Sequence, residues 1–144
     1  MLKRRRHAGF TLLEVLVAMV VLAIGLLGLA GLQNSGLRSD LSAYHRSQAT
    51  LLAYTILDAM RANRQTAVDG GYNYNYATPP APLAPCSAPP NPDLVAWCAA
   101  LAAQLPQGTG GVNVAGNGLA TVVVQWDDSR GASAAQQFTV QSQL

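Results

Sequence analysis

The chain has 144 residues, half of them hydrophobic and only 11% charged, with a formal net charge of +2. Four of its nine cations lie together at Lys3 to Arg6, so the rest of the sequence has five cations against seven acids. This length allows one small domain beside an apolar segment. The charge distribution argues against a basic nucleic-acid-binding surface.

The first predicted element is a membrane-spanning helix over Phe10 to Leu32. At about 1.5 Å per residue the segment is about 34 Å long, which suffices for a hydrocarbon core of about 30 Å. No side chain from Val15 to Leu32 is ionisable. Because the basic cluster precedes this segment, we expect the N-terminus in the cytoplasm and the rest of the chain on the other side.

Glu14 lies inside this apolar run, although a carboxylate costs about 2.5 to 3.5 kcal/mol at the middle of a membrane helix and less near its end. The ordinary interpretations are a plain anchor, a cleaved secretory signal with its cut at Gly31, and a carboxylate that reaches the interface. The first two leave the acid unexplained. The functional hypothesis is a cut after Gly9, which gives Phe10 a free α-amine. That amine would pair with Glu14 of the same or a neighbouring subunit and fix the axial register.

The stretch HAGFTLLEVLVA, after its short basic leader, resembles the processing signal of type IV pilins and of the pseudopilins of type II secretion. The resemblance implies cleavage between Gly9 and Phe10 by prepilin peptidase, N-methylation of Phe10, and Glu14 as the assembly carboxylate. It implies a leader at residues 1–9, a transmembrane and filament-core half-helix at 10–36, and a periplasmic head at 37–144. The expected location is the inner membrane before assembly and the extracellular pilus afterwards.

Past Gln33 the helical period continues without a proline to about Arg64, which predicts a single long helix. Its second half is expected to be the spine of the head. The predicted apolar stripe consists of Leu37, Leu41, Tyr44, Leu51, Leu52, Ile56 and Met60. Four glycines interrupt the helix, each at a cost of up to about 1 kcal/mol. They indicate either close helix packing or a segment that unwinds in a filament, and they are Gly25, Gly28, Gly31 and Gly36.

Seven of the eight prolines lie between Pro79 and Pro92, which predicts an extended loop with polyproline character. The preceding tyrosines alternate with asparagines and either pack on the head or present an aromatic face to a partner. They are Tyr72, Tyr74 and Tyr76.

A second helix is predicted from Asp93, as its N-cap, to Pro106. Cys86 in the loop and Cys98 in this helix are expected outside the cytoplasm, where one disulfide is the simplest assignment. Two cysteines are too few for a metal site, and His45 is isolated.

The last third predicts strands at residues 112–115, 119–126 and 135–142, with turns at 116–118 and 127–131. An antiparallel meander of three strands, packed on the long helix, follows. The predicted fold class is therefore α+β and pilin-like, with a long N-terminal helix, a small antiparallel sheet, a short second helix and a proline-rich loop tied by the disulfide.

No catalytic motif, phosphate loop or metal-ligand cluster is present in the sequence, so we predict no enzyme, no cofactor and no metal. The resemblance implies a minor pilin that primes pilus assembly at the tip and supports adhesion and twitching motility. Its implied partners are prepilin peptidase, other minor pilins, the major pilin and the inner-membrane assembly platform. A minor pseudopilin of type II secretion and a non-assembling anchored binding module are the alternatives.

Overall fold

The computed structural model describes residues 9–144; most of the predicted leader, including the basic cluster, lies outside the described residues. The chain divides into two compact units between Asp40 and Leu41. The elements in chain order are α1 (Leu12–Ala62), α2 (Arg64–Val68), α3 (Pro92–Gln104), β1 (Thr109–Val114), β2 (Leu119–Trp126) and β3 (Gln136–Gln143). A long apolar N-terminal helix with a small sheet and a shorter helix confirms the predicted α+β architecture.

The three strands form one antiparallel sheet in the order β1, β2, β3, as the sequence predicts. The central strand β2 is covered on both faces. Its even-numbered residues from Ala120 to Trp126 join the core formed with α1 and α3. On the other face the proline-rich loop contacts the sheet, because the Leu83 N–H donates to Gln125 Oε1 at 2.9 Å. This explains the uninterrupted valine run at the centre of β2, since neither face of the strand is left to water.

The buried face of α1 differs from the predicted stripe. The side chains that it buries are Ala49, Leu52, Ala53, Ile56, Leu57 and Met60. Leu41, Tyr44 and Leu51 are more than half exposed, as is Leu37 in the first unit, so the prediction is wrong for these four residues. Small residues cause the difference: Ala49 and Ala53 let the helix approach the core, and Leu51, two positions from Ala49, points about 200° away from it.

Both helix ends near the loop also differ from the prediction. The long helix ends at Ala62 rather than Arg64, because Asn63 leaves helical geometry at φ −115° and ψ 45°, and the unpredicted α2 follows. The N-cap of α3 is Asn91, not Asp93: the Asn91 side-chain oxygen accepts from the Leu94 N–H at 2.9 Å. Pro92 occupies the first helical position, where its missing N–H costs nothing.

β1 begins at Thr109, three residues before the prediction of Val112, and includes two glycines. A β-carbon at Gly110 would overlap the ring of Trp97, and one at Gly111 would overlap the carbonyl of Asn75. The lack of a side chain at these two strand positions therefore lets α3 and the segment around Asn75 approach the sheet. β3 is shifted by one residue from the predicted 135–142.

The disulfide between Cys86 and Cys98 is formed, with the Cα atoms 6.0 Å apart, and it ties the proline-rich loop to α3 as predicted. We expect the double variant Cys86→Ser/Cys98→Ser to lower the free energy of unfolding by about 2 to 4 kcal/mol, because the loop regains its freedom in the unfolded chain. Urea unfolding with and without reductant measures this. Reductant should weaken the wild type by the same amount and leave the variant unchanged; a wild type indifferent to reductant would contradict the prediction.

The turn between β2 and β3 is organised by Asp127. One carboxylate oxygen accepts from the Ser129 hydroxyl at 2.7 Å and the Ser129 N–H at 2.8 Å, and the other accepts from the Gly131 N–H at 2.7 Å. These donors, the Ser129 hydroxyl first among them, hold the pKa of Asp127 below its usual value.

A lowered pKa in the folded state fixes the sign of the pH dependence. The carboxylate of Asp127 stabilises the fold fully above its unfolded pKa of about 3.9, and this stabilisation is lost as the pH falls through the lower folded pKa. We expect Asp127→Asn to be less stable than wild type at neutral pH, with the difference shrinking below about pH 4. Urea unfolding from pH 7 to pH 3 measures it, and a difference that stays constant over this range would refute the role of the charge.

Candidate functional site: the N-terminal segment

Gly9 and Phe10 precede the first turn of α1, outside regular secondary structure and exposed to solvent. The peptide bond between them is the predicted cut site, and an exposed, non-helical segment is the form in which a peptidase reaches a backbone. In the uncut chain the Phe10 nitrogen is an uncharged amide. The ammonium group of the predicted ion pair therefore arises only on cleavage.

The helix begins with an N-cap at Thr11, which is not among the predictions above. The Thr11 Oγ1 accepts from the Glu14 N–H at 3.2 Å, and the Thr11 carbonyl accepts from the same group at 3.1 Å. Threonine followed three positions later by glutamate is a sequence signature of a helix start, and residues 11–14, TLLE, carry it. This cap places Glu14 in the first turn, where the helix dipole stabilises a negative charge.

Phe10 and Glu14 lie on the same side of the chain. Together with Val15, Ala18, Met19 and Leu22 they line one shallow groove along the start of α1. Glu14 lies four positions after Phe10, close to one helical turn. Cleavage would therefore create the amine of Phe10 four positions before Glu14 and on the same side of the chain as the Glu14 carboxylate.

The part of α1 that carries this carboxylate is apolar and exposed. Among residues 9–144, α1 is the helix with the length and composition to cross a membrane, and its most apolar 18-residue stretch has a mean hydropathy of 2.8 with no residue buried. A β-carbon at Gly25, Gly28, Gly31 or Gly36 would meet nothing within 4 Å. Contacts within this subunit thus do not require these glycines. An apolar surface of this extent needs lipid or neighbouring subunits to cover it.

Residues 4–30 match the family model of the prokaryotic N-terminal methylation motif. No curated protein and no solved structure matches the chain significantly. The motif and the fold together support a type IV pilin-like protein whose leader is removed by prepilin peptidase. The signal implies assembly with other pilins, and with the apolar helix it fits anchoring in the inner membrane before assembly.

The tyrosine segment packs on the head. Tyr72 is only 2% exposed, and its hydroxyl donates to the Asp93 carboxylate, while the Asn63 side-chain amide donates to both of these groups. Burial raises the pKa of Tyr72, and the hydrogen bond to Asp93 raises it further. The Tyr74 hydroxyl donates to the Ser87 carbonyl at 3.0 Å. The packing interpretation is therefore the one that the contacts support, and Asp93, the expected cap, instead joins the end of α1 to the tyrosine segment and α3.

Proposed function

We propose that the protein is a minor pilin, processed by prepilin peptidase and incorporated into a type IV pilus, where it helps to prime assembly at the tip. Residues 1–9 are the leader, 10–36 the membrane and filament-core segment, and 37–144 a periplasmic head. The observation that carries the proposal is Glu14, placed in the first turn of an exposed apolar helix, directly after the cut site of a matched methylation motif.

The proposed chemistry of the site has three parts. Cleavage after Gly9 frees the α-amine of Phe10, and N-methylation keeps that amine cationic. The ammonium group then pairs with Glu14, within the chain or across to a neighbour. In a low-dielectric surrounding an unpaired charge is expensive, so the subunit is held at the one axial position where both charges have partners. The role is structural, and it requires no catalytic group in this chain.

Among minor pilins, the chain most resembles PilV, the type IV pilus modification protein. The resemblance rests on IGLLGLAGLQ, on DAMRANR followed by GGY, on the cysteine pair and on VVVQWDD. These stretches include residues that organise the head. Asn63 joins α1 to Asp93, Arg64 Nε donates to the Leu144 carbonyl at 3.1 Å, and Asp127 orders the turn after β2. The proposal therefore extends to a part in adhesion and twitching motility.

The test is the chemical state and location of the mature chain. Protein recovered from membranes and from sheared pili is analysed by intact mass and N-terminal sequencing. We expect a chain that begins at N-methylated Phe10 in both fractions, and a deletion strain that loses twitching but still secretes exoproteins. A chain that begins at Met1, or beyond Glu14, contradicts the proposal. Loss of secretion with normal twitching would favour a minor pseudopilin instead.

The same two fractions distinguish a non-assembling anchored module from a minor pilin. Such a protein would use the proline-rich loop for binding, stay in the membrane fraction and be absent from sheared pili. Its function would survive replacement of Glu14 by valine, because an anchor needs only the apolar segment. The pilin proposal requires the opposite result.

A further inference from the structure

The two outer edges of the sheet differ in whether their outward-facing backbone groups are hydrogen-bonded. On the β1 side, the bond from the Ala115 N–H to the Leu119 carbonyl, together with the register of β1 and β2, directs the backbone groups of even-numbered β1 residues outward. Val112 exchanges two backbone hydrogen bonds with Tyr74, at 2.8 and 2.9 Å. The Asn73 side chain accepts from the Val114 N–H at 2.6 Å. Residues 73–75 (NYN) therefore cover this edge of the sheet.

The β3 side has no such cover among the described residues. The bond from the Leu144 N–H to the Gly118 carbonyl, together with the register of β2 and β3, assigns the even-numbered residues of β3 to pairing with β2. The N–H and C=O groups of Gln137, Thr139 and Gln141 therefore point outward. Within residues 9–144 these six groups form no hydrogen bond.

The composition of β3 is unusual for an edge strand that remains unpaired. Natural edge strands are commonly protected by lysine, proline, a bulge or short length. β3 has eight residues, pairs with β2 in continuous register, and contains neither charge nor proline. Phe138 and Val140 pack against the core but are only partly buried. An added strand would cover what remains exposed of both side chains.

We propose that the outer edge of β3 is a strand-addition site, which receives an extended strand from a different subunit of the same assembly. Main-chain hydrogen bonds to Gln137, Thr139 and Gln141 would hold the strand. Its side chains would be apolar opposite Phe138 and Val140, on the face that packs against the helices, and uncharged opposite the outward-pointing residues.

Charge at one end of the edge defines the partner further. Arg61 donates to the Ser142 hydroxyl at 2.7 Å, and Arg64 donates to the Leu144 carbonyl. Arg61 pairs with Asp58, and Arg64 lies against the main-chain oxygen of Leu144. The two guanidinium groups therefore disfavour a cation at the adjacent end of the partner strand.

A second copy of this chain is the less suitable occupant. Two β3 edges that pair antiparallel are related by a two-fold axis normal to the sheet, and this axis reverses the α1 segment that packs on the sheet. Subunits anchored through one membrane face enter it in the same direction. The choice of a different subunit thus rests on the proposed function, whereas the open edge itself does not.

The test uses the full chain in its own membranes and pili, with a photo-crosslinking residue in place of Gln141 and a matched one at the exposed Gln104 of α3. We expect irradiation to join position 141, but not position 104, to a segment of another prepilin-signal subunit, and mass spectrometry to identify that segment as uncharged. Thr139→Pro should reduce the adduct by about tenfold or more, because proline removes an outward N–H while sparing the bonds to β2. Thr139→Val, which keeps the N–H, should not.

Hydrogen exchange on the wild type provides a second measurement that needs no substitution. The amides of Thr139 and Gln141 should exchange quickly in the detergent-solubilised subunit and slowly in the assembly. An adduct with a second copy, an adduct that survives Thr139→Pro, or equally fast exchange in both states would overturn the inference. Leader removal and recovery in sheared pili, measured on the same samples, report separately on the proposed function: a processed, pilus-borne chain with fast-exchanging edge amides overturns this inference alone.

Discussion

Replacing Glu14 with valine is expected to remove the protein from pili while leader cleavage continues. In the proposed mature chain Phe10 carries an ammonium group, and valine at position 14 would leave it without a counter-charge in a low-dielectric surrounding. An uncompensated buried charge costs about 3 to 5 kcal/mol, so incorporation should fall by about a hundredfold or more. Membrane anchoring should not suffer, because valine suits lipid better than glutamate. The ratio of sheared-pilus to membrane protein measures incorporation, and intact mass confirms the cut.

Two variants distinguish the effect of the Glu14 charge from the effect of the helix cap at Thr11. Glu14→Gln keeps a polar side chain of the same length but carries no charge, so we expect it to fail like valine. Thr11→Val removes the oxygen that caps the Glu14 N–H, at a cost of about 0.5 to 2 kcal/mol to the helix start. Because Thr11→Val leaves both charges in place, its incorporation should fall far less. Wild-type incorporation of Glu14→Gln would show that charge is not what assembly requires.

The N-terminal motif can be recognised from the sequence because its parts are contiguous. The basic leader, Gly9, Phe10, Glu14 and the apolar run lie in fixed order, and no long-range contact is needed to bring them together. The cap at Thr11 is a second role of a residue in the processing signal, because a threonine three residues before a glutamate is itself a helix-start signal. The bond from the Glu14 N–H to Thr11 makes this second role visible.

In the head, features that a local sequence pattern determines were predicted, and features that contacts with distant residues determine were not. The valine run of β2 and the turn at Gly118, which has φ +84°, follow from the sequence alone. The contacts of the asparagines in the YNYNY stretch do not follow from it. Asn73 and Asn75 bond the outer edge of β1, and no periodicity within their own segment predicts which strand they will meet.

Gly110 in β1 illustrates the same limit, because the residues that require a glycine there, Trp97 and Leu101, lie in α3. At Gly110 a β-carbon would overlap the distal ring of Trp97 and approach Leu101 Cδ1 within 2.8 Å. Trp97 is itself fixed, since it is 3% exposed and its Nε1 donates to the Leu52 carbonyl at 2.9 Å. A methyl group at position 110 must therefore displace a ring that is held from the other side by α1.

We accordingly expect Gly110→Ala to lower the free energy of unfolding by about 2 to 3 kcal/mol, near the upper end of overpacking costs. The matched control is Gly116→Ala, in the hairpin turn, where a β-carbon meets nothing within 4 Å and the change should stay within about 0.5 kcal/mol. Urea unfolding of the full chain in detergent measures both. Equal effects of the two alanines would remove the steric explanation.

The decisive measurement is a double-mutant cycle with Trp97→Phe. Phenylalanine lacks the distal ring that a methyl group at position 110 would overlap, and it also loses the donor to Leu52, so it should destabilise the fold by itself. In that background Gly110→Ala should cost about 1 to 2 kcal/mol less than in the wild type, because the overlap no longer exists. Trp126 remains as the fluorescent reporter. If the two costs simply add, Gly110 owes its place in β1 to its backbone rather than to Trp97, and the close approach of α3 to the sheet needs another cause.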